Sequence, residues 1–269
     1  MKDQVSLTNA RLAEDESKVF NNFRQIFELC GRSVLEIGGR MSLHLLTEAG
    51  VGQWWSLDPR NQQIHPQGPL HTMQGKCEAI PLPDSSVDLI FSCNAFQHVG
   101  NLDAGLAEMA RVLKSGGYLY ANFGPVWSAP DGSHIENLVV DGQRYNFWEQ
   151  TLLPSWSHLV FNEEELSTLL SAIHPPKLAT GIARYVFNSD WINRLFYNDY
   201  EYLVRRYPWD VIFFGGNKRF DYDYEPPLID HPLAARLKPE VVGAEVLKKH
   251  GLSKTDLQSR DVEIVLRRD

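Results

Sequence analysis

Small and acidic residues stand at the ends of the first four predicted strands. A ribose carries two free hydroxyls, and one carboxylate can accept hydrogen bonds from both of them at once. Asp58 directly follows an apolar run, so we expect it to hold a ribose. Glu36 is expected to orient the neighbouring loop or to meet an ammonium group of the ligand. The candidate binding residues, in chain order, are Glu36, Gly38, Gly39, Asp58, Cys77, Glu78 and Asn94.

The glycine pair Gly38 and Gly39 ends the run VLEIGG. Because glycine has no Cβ, the backbone there can approach a ligand closely. A tight strand-to-helix turn that binds nothing would explain a single glycine pair equally well. The residues from Gly38 to Leu43 do not supply the G-x-G-x-x-G pattern that a dinucleotide pyrophosphate needs. A nicotinamide-dependent dehydrogenase is therefore disfavoured.

A second group of residues could move a proton. A hydroxyl is a poor nucleophile at neutral pH, and a histidine or carboxylate within hydrogen-bond reach can take its proton. His134, in the run FGPVWSAPDGSHIENL, is the first candidate for this general base, and Asp131 could orient its imidazole or act itself. His98, directly after the fourth strand, is the second candidate. The alternatives are a solvated surface turn at PDGSH, and a helix-capping or packed histidine at position 98. His158 lies in an aromatic run and is expected to pack.

Alternating strands and helices are predicted to position these residues. The predicted strands cover residues 33–37, 54–57, 72–74, 87–92 and 118–123. Helical spacing predicts a helix over 102–113, with Gly116 and Gly117 as its left-handed C-cap. Strands that alternate with helices are typical of parallel pairing with right-handed crossovers. The sequence therefore predicts the α/β class, with a Rossmann-like, doubly wound sheet in which residues 30–125 form the ligand-binding half.

The alternation breaks down after Gly124. Residues 126–227 are rich in Trp, Tyr, Phe and Pro and are predicted to form an inserted cap that binds a second substrate. Its clearest element is a helix that begins at Asn162, with Glu165 at the capping-box position. Residues 262–266 predict a late strand, and either 210–214 or 184–187 could be its antiparallel neighbour. The whole chain, 1–269, is predicted to be a single domain.

Composition excludes several classes of protein. Lys and Arg number 26 against 34 Asp and Glu, a net charge of −8, so nucleic acid is disfavoured as a partner. The three cysteines are scattered without a CxxC pair, which disfavours a disulfide framework or a zinc site and favours a reducing cytoplasm. The sequence has no signal-peptide h-region and no membrane span of roughly 18 apolar residues.

Four motifs follow one another along the chain: VLEIGG, SLDPRN, GKCEAIPLPDSSVDLIFSCNAFQHV and RVLKSGGYLYANF. This series resembles that of class I methyltransferases, in particular of type 11 methyltransferases. The resemblance implies a seven-stranded sheet, parallel except for one antiparallel strand, and S-adenosylmethionine as cofactor. It implies that Glu36 and Gly38 belong to the donor-binding loop, that Asp58 binds the ribose, and that Cys77 and Glu78 flank the adenine. The chain departs from the usual G-x-G-x-G at Arg40 and Ser42, and it has Lys76 where an acidic residue is common.

Three later segments are GPVWSAPDGSH, LLPSWSHLVFNEEEL and INRLFYNDY. Together they resemble a group of bacterial methyltransferases associated with surface-polysaccharide and secondary-metabolite pathways. That resemblance implies O-methylation of a small molecule or a sugar, on which aromatic side chains could stack. The aromatic candidates are Trp127, Tyr145, Trp148 and Trp156, which would serve equally well as core of the cap. N- or C-methylation and a non-catalytic scaffold remain alternatives. Asp131, His134 and Glu136 could hold a divalent metal, but their spacing is not diagnostic and no metal is predicted. The sequence leaves the acceptor and the oligomeric state open.

Overall fold

The computed structural model describes residues 1–2, 13, 15–62, 65–218 and 229–269. Its strands are β1 Ser33–Ile37, β2 Gln53–Asp58, β3 Leu70–Gln74, β4 Val87–Cys93, β5 Leu113–Phe123, β6 Leu138–Val140, β7 Gln143–Tyr145, β8 Trp209–Lys218 and β9 Ser259–Arg268. Its helices are α1 Glu16–Ile26, α2 Leu43–Glu48, α3 Leu102–Val112, α4 Ser157–Val160, α5 Glu163–Leu170, α6 Pro176–Asn188, α7 Tyr197–Val204 and α8 Pro239–His250. Short 3-10 turns cover Cys77–Ala79, Phe96–His98 and Pro232–Leu237.

The described residues divide into two compact units. The first, which we call the sheet unit, comprises Met1–Gly124, Asp199–Asn217 and Asp261–Asp269. The second, the helical unit, comprises Pro125–Asn198 and Lys218–Arg260. The predicted cap, 126–227, falls mainly in the helical unit, and its residues 219–227 lie outside the described part of the chain. No helix within the described ranges is long and apolar enough to cross a membrane.

Seven strands of the described chain form one sheet in the order β3-β2-β1-β4-β5-β9-β8. The pairs from β3 to β5 are parallel, and β9 lies antiparallel to β5. The chain runs outward from β1 in both directions, so the strand order reverses between β1 and β4. That is the point at which open α/β sheets bind ligands, beyond the carboxyl ends of the strands. The predicted Rossmann-like, doubly wound sheet is confirmed.

Two local predictions need correction. Gly116 is left-handed, with φ +74°, but it does not cap α3, because that helix ends at Val112 and β5 begins at the next residue. The glycines lie in an irregularity where β4 and β5 change register, and a Cβ on Gly117 would come within 2.8 Å of Asp88 O. Of the two proposed neighbours for the late strand, 210–214 is correct and 184–187 is wrong, since the latter segment is helical.

Helix α1 packs against the sheet through aromatic side chains. Phe23 lies 5.1 Å from Phe91 and 5.6 Å from Tyr120, measured between ring centroids, so the helix is fixed over β4 and β5. Asp15 caps this helix by accepting a hydrogen bond from Lys18 N at 3.0 Å. The cluster stabilises the sheet by burying apolar area and holds the strand ends in fixed positions.

The helical unit has its own apolar core, contributed mainly by α4, α5, α6 and α8. The capping box predicted at the start of α5 is confirmed: Asn162 accepts from Glu165 N at 2.9 Å, and Glu165 accepts from Asn162 N at 3.0 Å. Helix α8 was not predicted, although local signals mark it. Pro239 starts the helix and the left-handed Gly251, φ +64°, ends it.

Candidate functional site

Glu36 anchors the loop that follows β1. Its side chain is fully buried, and its Oε2 accepts hydrogen bonds from Met41 N at 3.0 Å and from Trp54 Nε1 at 2.6 Å. Burial raises the pKa of this carboxyl well above its usual value, and the nearby Glu16 carboxyl adds to the effect. Glu36 therefore ties the loop to β1 and β2.

Gly38 and Gly39 form a turn that side chains would obstruct. Both are left-handed, with φ +75° and +88°. A Cβ on Gly38 would lie 2.4 Å from Ala95 Cβ, beyond the end of β4, so the ends of β1 and β4 meet here. Gly39 N donates to Asp58 Oδ2 at 3.1 Å, and Gly39 O accepts from Ser56 Oγ at 2.6 Å. The glycine pair thus brings the carboxyl ends of three strands together.

Asp58 ends β2 and is only 6% exposed. Besides Gly39 N, it accepts from Arg60, whose backbone N lies 2.7 Å and whose Nε lies 3.1 Å from Oδ1. Burial opposes ionisation, but the Arg60 hydrogen bonds and charge hold the pKa of Asp58 below its usual value. Asp58 is therefore a carboxylate at neutral pH. Sequence reasoning did not identify Arg60 as its partner, although an Arg two residues after the acid in a polar turn is a usable signal.

Cys77 and Glu78 lie in the 3-10 turn that follows β3. Cys77 is buried against α3, where a Cβ on Gly105 would come within 2.9 Å of its sulfur. Burial, followed by the Glu78 charge, raises the pKa of the thiol, which stays protonated. Glu78 Oε1 accepts from Asn101 N at 3.2 Å, beside the start of α3. The structure thus ties Glu78 to α3.

Asn94 and His98 follow β4. Asn94 is left-handed, with φ +48°, and its N donates to Asn122 O at 2.9 Å. His98 ends the 3-10 turn half-buried, and its backbone N donates to Ala95 O at 2.9 Å. Ser92, which sequence reasoning passed over, joins the strand ends because its Oγ donates to Ile37 O at 3.0 Å. Only the tertiary fold reveals that contact.

Asp131 and His134 belong to the helical unit, whereas the strand-end residues belong to the sheet unit. His134 is 5% exposed and left-handed, φ +49°, with its ring 4.6 Å from that of Phe147. Asp131 Oδ2 accepts from Arg260 Nε at 2.9 Å, and both side chains are largely buried. The solvated surface turn considered for PDGSH is therefore wrong. A Cβ on Gly132 would lie 2.3 Å from Val126 O, so the turn is packed tightly.

The aromatic candidates divide into two sets. Trp127 and Trp156 belong to the core of the helical unit and Tyr145 packs against it, whereas Trp148 is 56% exposed. His158 is buried as predicted, with its ring 4.6 Å from that of Trp127. Within the described ranges, no group of three or more His, Cys, Asp or Glu side chains could hold a metal ion.

Residues 37–121 match a protein family described as "Methyltransferase domain". An uncharacterized methyltransferase of Mycobacterium bovis (strain BCG / Pasteur 1173P2) is 33% identical over 116 residues, which cover 40% of this chain and 45% of that protein. The chain thus spans less than half the length of the curated relatives it matches first. The malonyl-[acyl-carrier protein] O-methyltransferase of Methylococcus capsulatus is 46% identical over 71 residues, 23% of this chain and 26% of that one.

Two solved structures share the fold over nearly the whole chain. An S-adenosylmethionine dependent methyltransferase from Mesorhizobium loti aligns with a TM-score of 0.53 and 14% identity, covering 93% of this chain and 97% of that one. A protein from Listeria monocytogenes aligns with a TM-score of 0.52 and 10% identity, covering 95% and 100%. At these identities the likeness is one of fold.

Proposed function

This chain contains a class I S-adenosylmethionine-dependent methyltransferase domain, and from that premise we propose that the whole protein methylates a hydroxyl of a small molecule or a sugar. When bound, S-adenosylmethionine supplies an electrophilic methyl group. The protein's own residues then have to bind, orient the acceptor, exclude water and take a proton.

The residues at the strand ends fit this cofactor. The Gly38–Gly39 turn has no Cβ atoms, so it leaves room for a ligand. Glu36 holds the backbone of the loop by accepting a hydrogen bond from Met41 N. Asp58 is ionised and faces the same turn, so its oxygens could accept from both ribose hydroxyls. The side chain of Arg60 now occupies those oxygens, but it is 74% exposed and can swing away. Cys77 and Glu78 would flank the adenine, with Asn94 beyond β4.

The observation that carries the proposal is the hydrogen bond from Gly39 N to Asp58 Oδ2 at 3.1 Å. It joins the loop after β1 to the acid at the end of β2, on the side of the sheet where the strand order reverses. A turn that bound nothing would not need an ionised, buried carboxylate at that position, since burying a charge has a free-energy cost.

His134 supports a hydroxyl acceptor. A histidine taking a proton from a hydroxyl has to be held in place, and the packed PDGSH turn restricts the position of this one. We assign His134 as general base, Asp131 as its support through the turn, and His98 as the second candidate base. The Methylococcus capsulatus relative is named as an O-methyltransferase, which favours oxygen over nitrogen or carbon as the methylated atom.

Calorimetric titration with S-adenosylhomocysteine tests the cofactor site. We expect the wild-type chain to bind and Asp58→Asn to lose at least about tenfold in affinity, because it loses charge-assisted hydrogen bonds. Asp88→Asn is the matched control. Asp88 also accepts a backbone hydrogen bond, from Ser33 N at 2.8 Å, and its pKa is also lowered, but it lies at the opposite ends of the strands.

Absence of S-adenosylhomocysteine binding at millimolar concentration would favour a scaffold over an enzyme. Equal losses in Asp58→Asn and Asp88→Asn would remove Asp58 from the site. On an identified acceptor, unchanged turnover in His134→Ala would discard the general-base assignment and favour N- or C-methylation.

A further inference from the structure

Helix α1 places a second carboxyl group beside the glycine turn. Glu16 is the first residue of α1, and a Cβ on Gly39 would lie 2.8 Å from its Oε1. The same Cβ would lie 3.4 Å from Glu36 Oε1, so both carboxyl oxygens face one point beside Gly39. The other oxygen of Glu36 already accepts hydrogen bonds from Met41 and Trp54. The turn after β1 is therefore bordered by two carboxyl groups, of which one comes from outside the strand ends.

The contact between Glu16 and Glu36 requires a proton, because two negative charges this close repel each other. Burial raises the pKa of Glu36, and the hydrogen bond and charge of the Glu16 carboxyl raise it further. Glu36 is 0% exposed, and within the described ranges no group donates a hydrogen bond to its Oε1. Glu36 Oε1 is therefore the atom suited to carry the proton and to donate it to Glu16.

Glu16 is the member of this pair that a ligand can reach. Its side chain is partly exposed, whereas that of Glu36 is enclosed. In the part of the chain that the structure describes, no cationic side chain pairs with Glu16, and the lysine two residues later lies 4.0 Å from Asp15 Oδ2. A carboxylate in the first turn of a helix is favoured by the helix dipole. The dipole explains the charge at this position, but it does not explain why the side chain turns toward Gly39.

Cys93, the last residue of β4, lies in the same negative region. Burial raises the pKa of its thiol, and the charges of Glu16, Glu36 and Asp15 raise it further. The carboxyl groups at the start of α1 therefore act on the ends of both β1 and β4, between which the strand order reverses. Such surroundings favour a ligand with a cationic group.

The proposed cofactor carries a cationic group at one end. S-adenosylmethionine has an ammonium group on its methionyl chain, several bonds away from the ribose. Asp58, which we propose for the ribose, accepts a hydrogen bond from Gly39 N, whereas Glu16 lies on the Cα side of Gly39. The two carboxylates thus flank one residue of the turn, where they are placed for two ends of one ligand.

We propose that Glu16, and not Glu36, binds the ammonium group of S-adenosylmethionine. Glu36 donates its Oε1 proton to Glu16 and holds that carboxylate beside Gly39, which makes Glu36 a positioning residue. The inference rests on the proposed function, because it assumes that the ligand at the strand ends is this cofactor. It changes the role that the sequence predicts for Glu36, which was expected to orient the loop or to meet the ammonium group itself.

The test is calorimetric titration of the full chain with two matched ligands. S-adenosylhomocysteine has the ammonium group, and in its deamino analogue a hydrogen atom replaces that group. We expect wild type to bind S-adenosylhomocysteine at least about fivefold more tightly than the analogue. Glu16→Gln should lose this preference while losing little affinity for the analogue, because its neutral amide no longer attracts the ammonium group. A wild-type preference in Glu16→Gln, or no preference in wild type, would overturn the proposal.

Asp15→Asn is the matched control for Glu16→Gln. It removes an acidic charge from the neighbouring position, and asparagine still caps α1. We expect Asp15→Asn to keep the preference for S-adenosylhomocysteine. Equal losses of S-adenosylhomocysteine affinity in the two variants would attribute the effect to general negative charge and overturn the assignment. This comparison decides the matter even if the deamino analogue binds too weakly to measure.

Glu36→Gln distinguishes the two carboxyl groups. Glutamine keeps an oxygen for Met41 N and Trp54 Nε1, and its amide donates to Glu16 as the protonated acid does. Glu36→Gln should therefore lose less S-adenosylhomocysteine affinity than Glu16→Gln. The reverse order would show that Glu36 itself meets the ammonium group, and it would overturn the inference.

The same titrations separate this inference from the proposed function. If wild type binds neither ligand at millimolar concentration, the proposed cofactor site is rejected together with the inference. If S-adenosylhomocysteine binds wild type and Glu16→Gln equally well, the inference alone is rejected and the methyltransferase proposal stands.

Discussion

At the scale of single residues, the site is governed by how each buried polar group is satisfied. Glu36 and Asp58 stand on neighbouring strands, yet their pKa values shift in opposite directions. The pKa of Glu36 is raised and that of Asp58 is lowered. At Glu36, burial and the neighbouring Glu16 carboxyl raise the pKa. At Asp58, the hydrogen bonds and charge of Arg60 outweigh the effect of burial on the pKa. Of these two acids, only Asp58 is therefore held ionised, as its proposed role of accepting from ribose hydroxyls requires, and Glu36 is suited to holding the loop.

Arg60 occupies the Asp58 oxygens that we propose for the ribose, which gives the first prediction. Its side chain places Nε 3.1 Å from Oδ1 and Nη2 3.1 Å from Oδ2. Because the arginine is mostly exposed, its ion pair is weak, and Arg60→Ala should tighten S-adenosylhomocysteine binding by about threefold. Calorimetry measures the change, and Arg24→Ala, which breaks an exposed pair with Glu48 in the same unit, is the control. A weakened affinity in Arg60→Ala would show that the arginine holds the ligand instead.

His158 makes the stability of the helical unit depend on pH. It is buried, and its Nε2 lies 2.8 Å from Trp127 O. Burial lowers its pKa to about 3, while the backbone hydrogen bond and the nearby Lys249 act more weakly. In the unfolded chain His158 has an ordinary pKa of about 6.5, so it binds a proton as the pH falls below that value. In the folded chain it stays unprotonated until the pH approaches 3. The contribution of His158 is fully present above that window and is lost through it.

The prediction is that wild type loses ~2 kcal/mol of unfolding free energy between pH 7 and pH 5 through this residue. His158→Gln can still donate to Trp127 O but does not titrate, so it should lose less over the same interval. Urea unfolding at the two pH values measures the difference. His174→Gln is the control, because His174 makes the same kind of bond, to Leu152 O at 2.7 Å, but is only half-buried. Equal pH dependence in wild type and His158→Gln would contradict the prediction.

At the scale of elements, the turn between β1 and α2 positions the strand-end residues. Gly38→Ala should lower the free energy of unfolding by roughly 1–3 kcal/mol. An alanine is strained in the left-handed backbone conformation of this position, and its Cβ would clash with Ala95. It should also weaken S-adenosylhomocysteine binding, since either the turn or the end of β4 must shift. Chemical unfolding and calorimetry measure the two effects.

Gly100→Ala provides the matched control for that turn. Gly100 belongs to the same unit, and a Cβ there would meet nothing within 4 Å. We therefore expect nearly wild-type stability and affinity from Gly100→Ala. If Gly38→Ala bound S-adenosylhomocysteine as wild type does, the glycine turn would be a purely structural feature.

Elements with strong local signals were predictable from the sequence. Apolar runs that end in Gly38 or Asp58 mark strands, and the rule that ligands bind at strand ends then selects the candidate residues. Gly116 misled the prediction because a left-handed glycine suits a helix C-cap and a strand irregularity equally well. Local pattern alone cannot separate those two uses.

Contacts between distant residues could not be predicted in this way. Asp131 meets Arg260 across 129 positions of the chain, and no periodicity encodes that pairing. Arg194 likewise owes its place to two carbonyls at the end of α6 and to the face of Trp127. The surroundings of Arg194 therefore emerged only from the fold, whereas the candidate residues at the strand ends were visible in the sequence.

At the scale of the whole molecule, each of the two described units carries its own apolar core. Aromatic residues around Phe23 and Phe91 form the core of the sheet unit, and the core of the helical unit includes Trp127 and Leu166. A ligand that binds only the folded state stabilises the protein by ~2.7 kcal/mol at a hundred times its dissociation constant. Local opening reactions report where this stabilisation acts, because amides exchange through them.

Hydrogen exchange with S-adenosylhomocysteine provides the last prediction. S-adenosylhomocysteine should slow amide exchange in residues 33–58 and 87–98, since those segments hold Glu36, Asp58 and Asn94 at the strand ends. The measurement is mass spectrometry of peptides from the full chain, with Asp58→Asn as the variant in which the protection should weaken. Protection by S-adenosylhomocysteine that survives Asp58→Asn unchanged would contradict the proposed role of Asp58, because the buried carboxylate would then contribute nothing to binding.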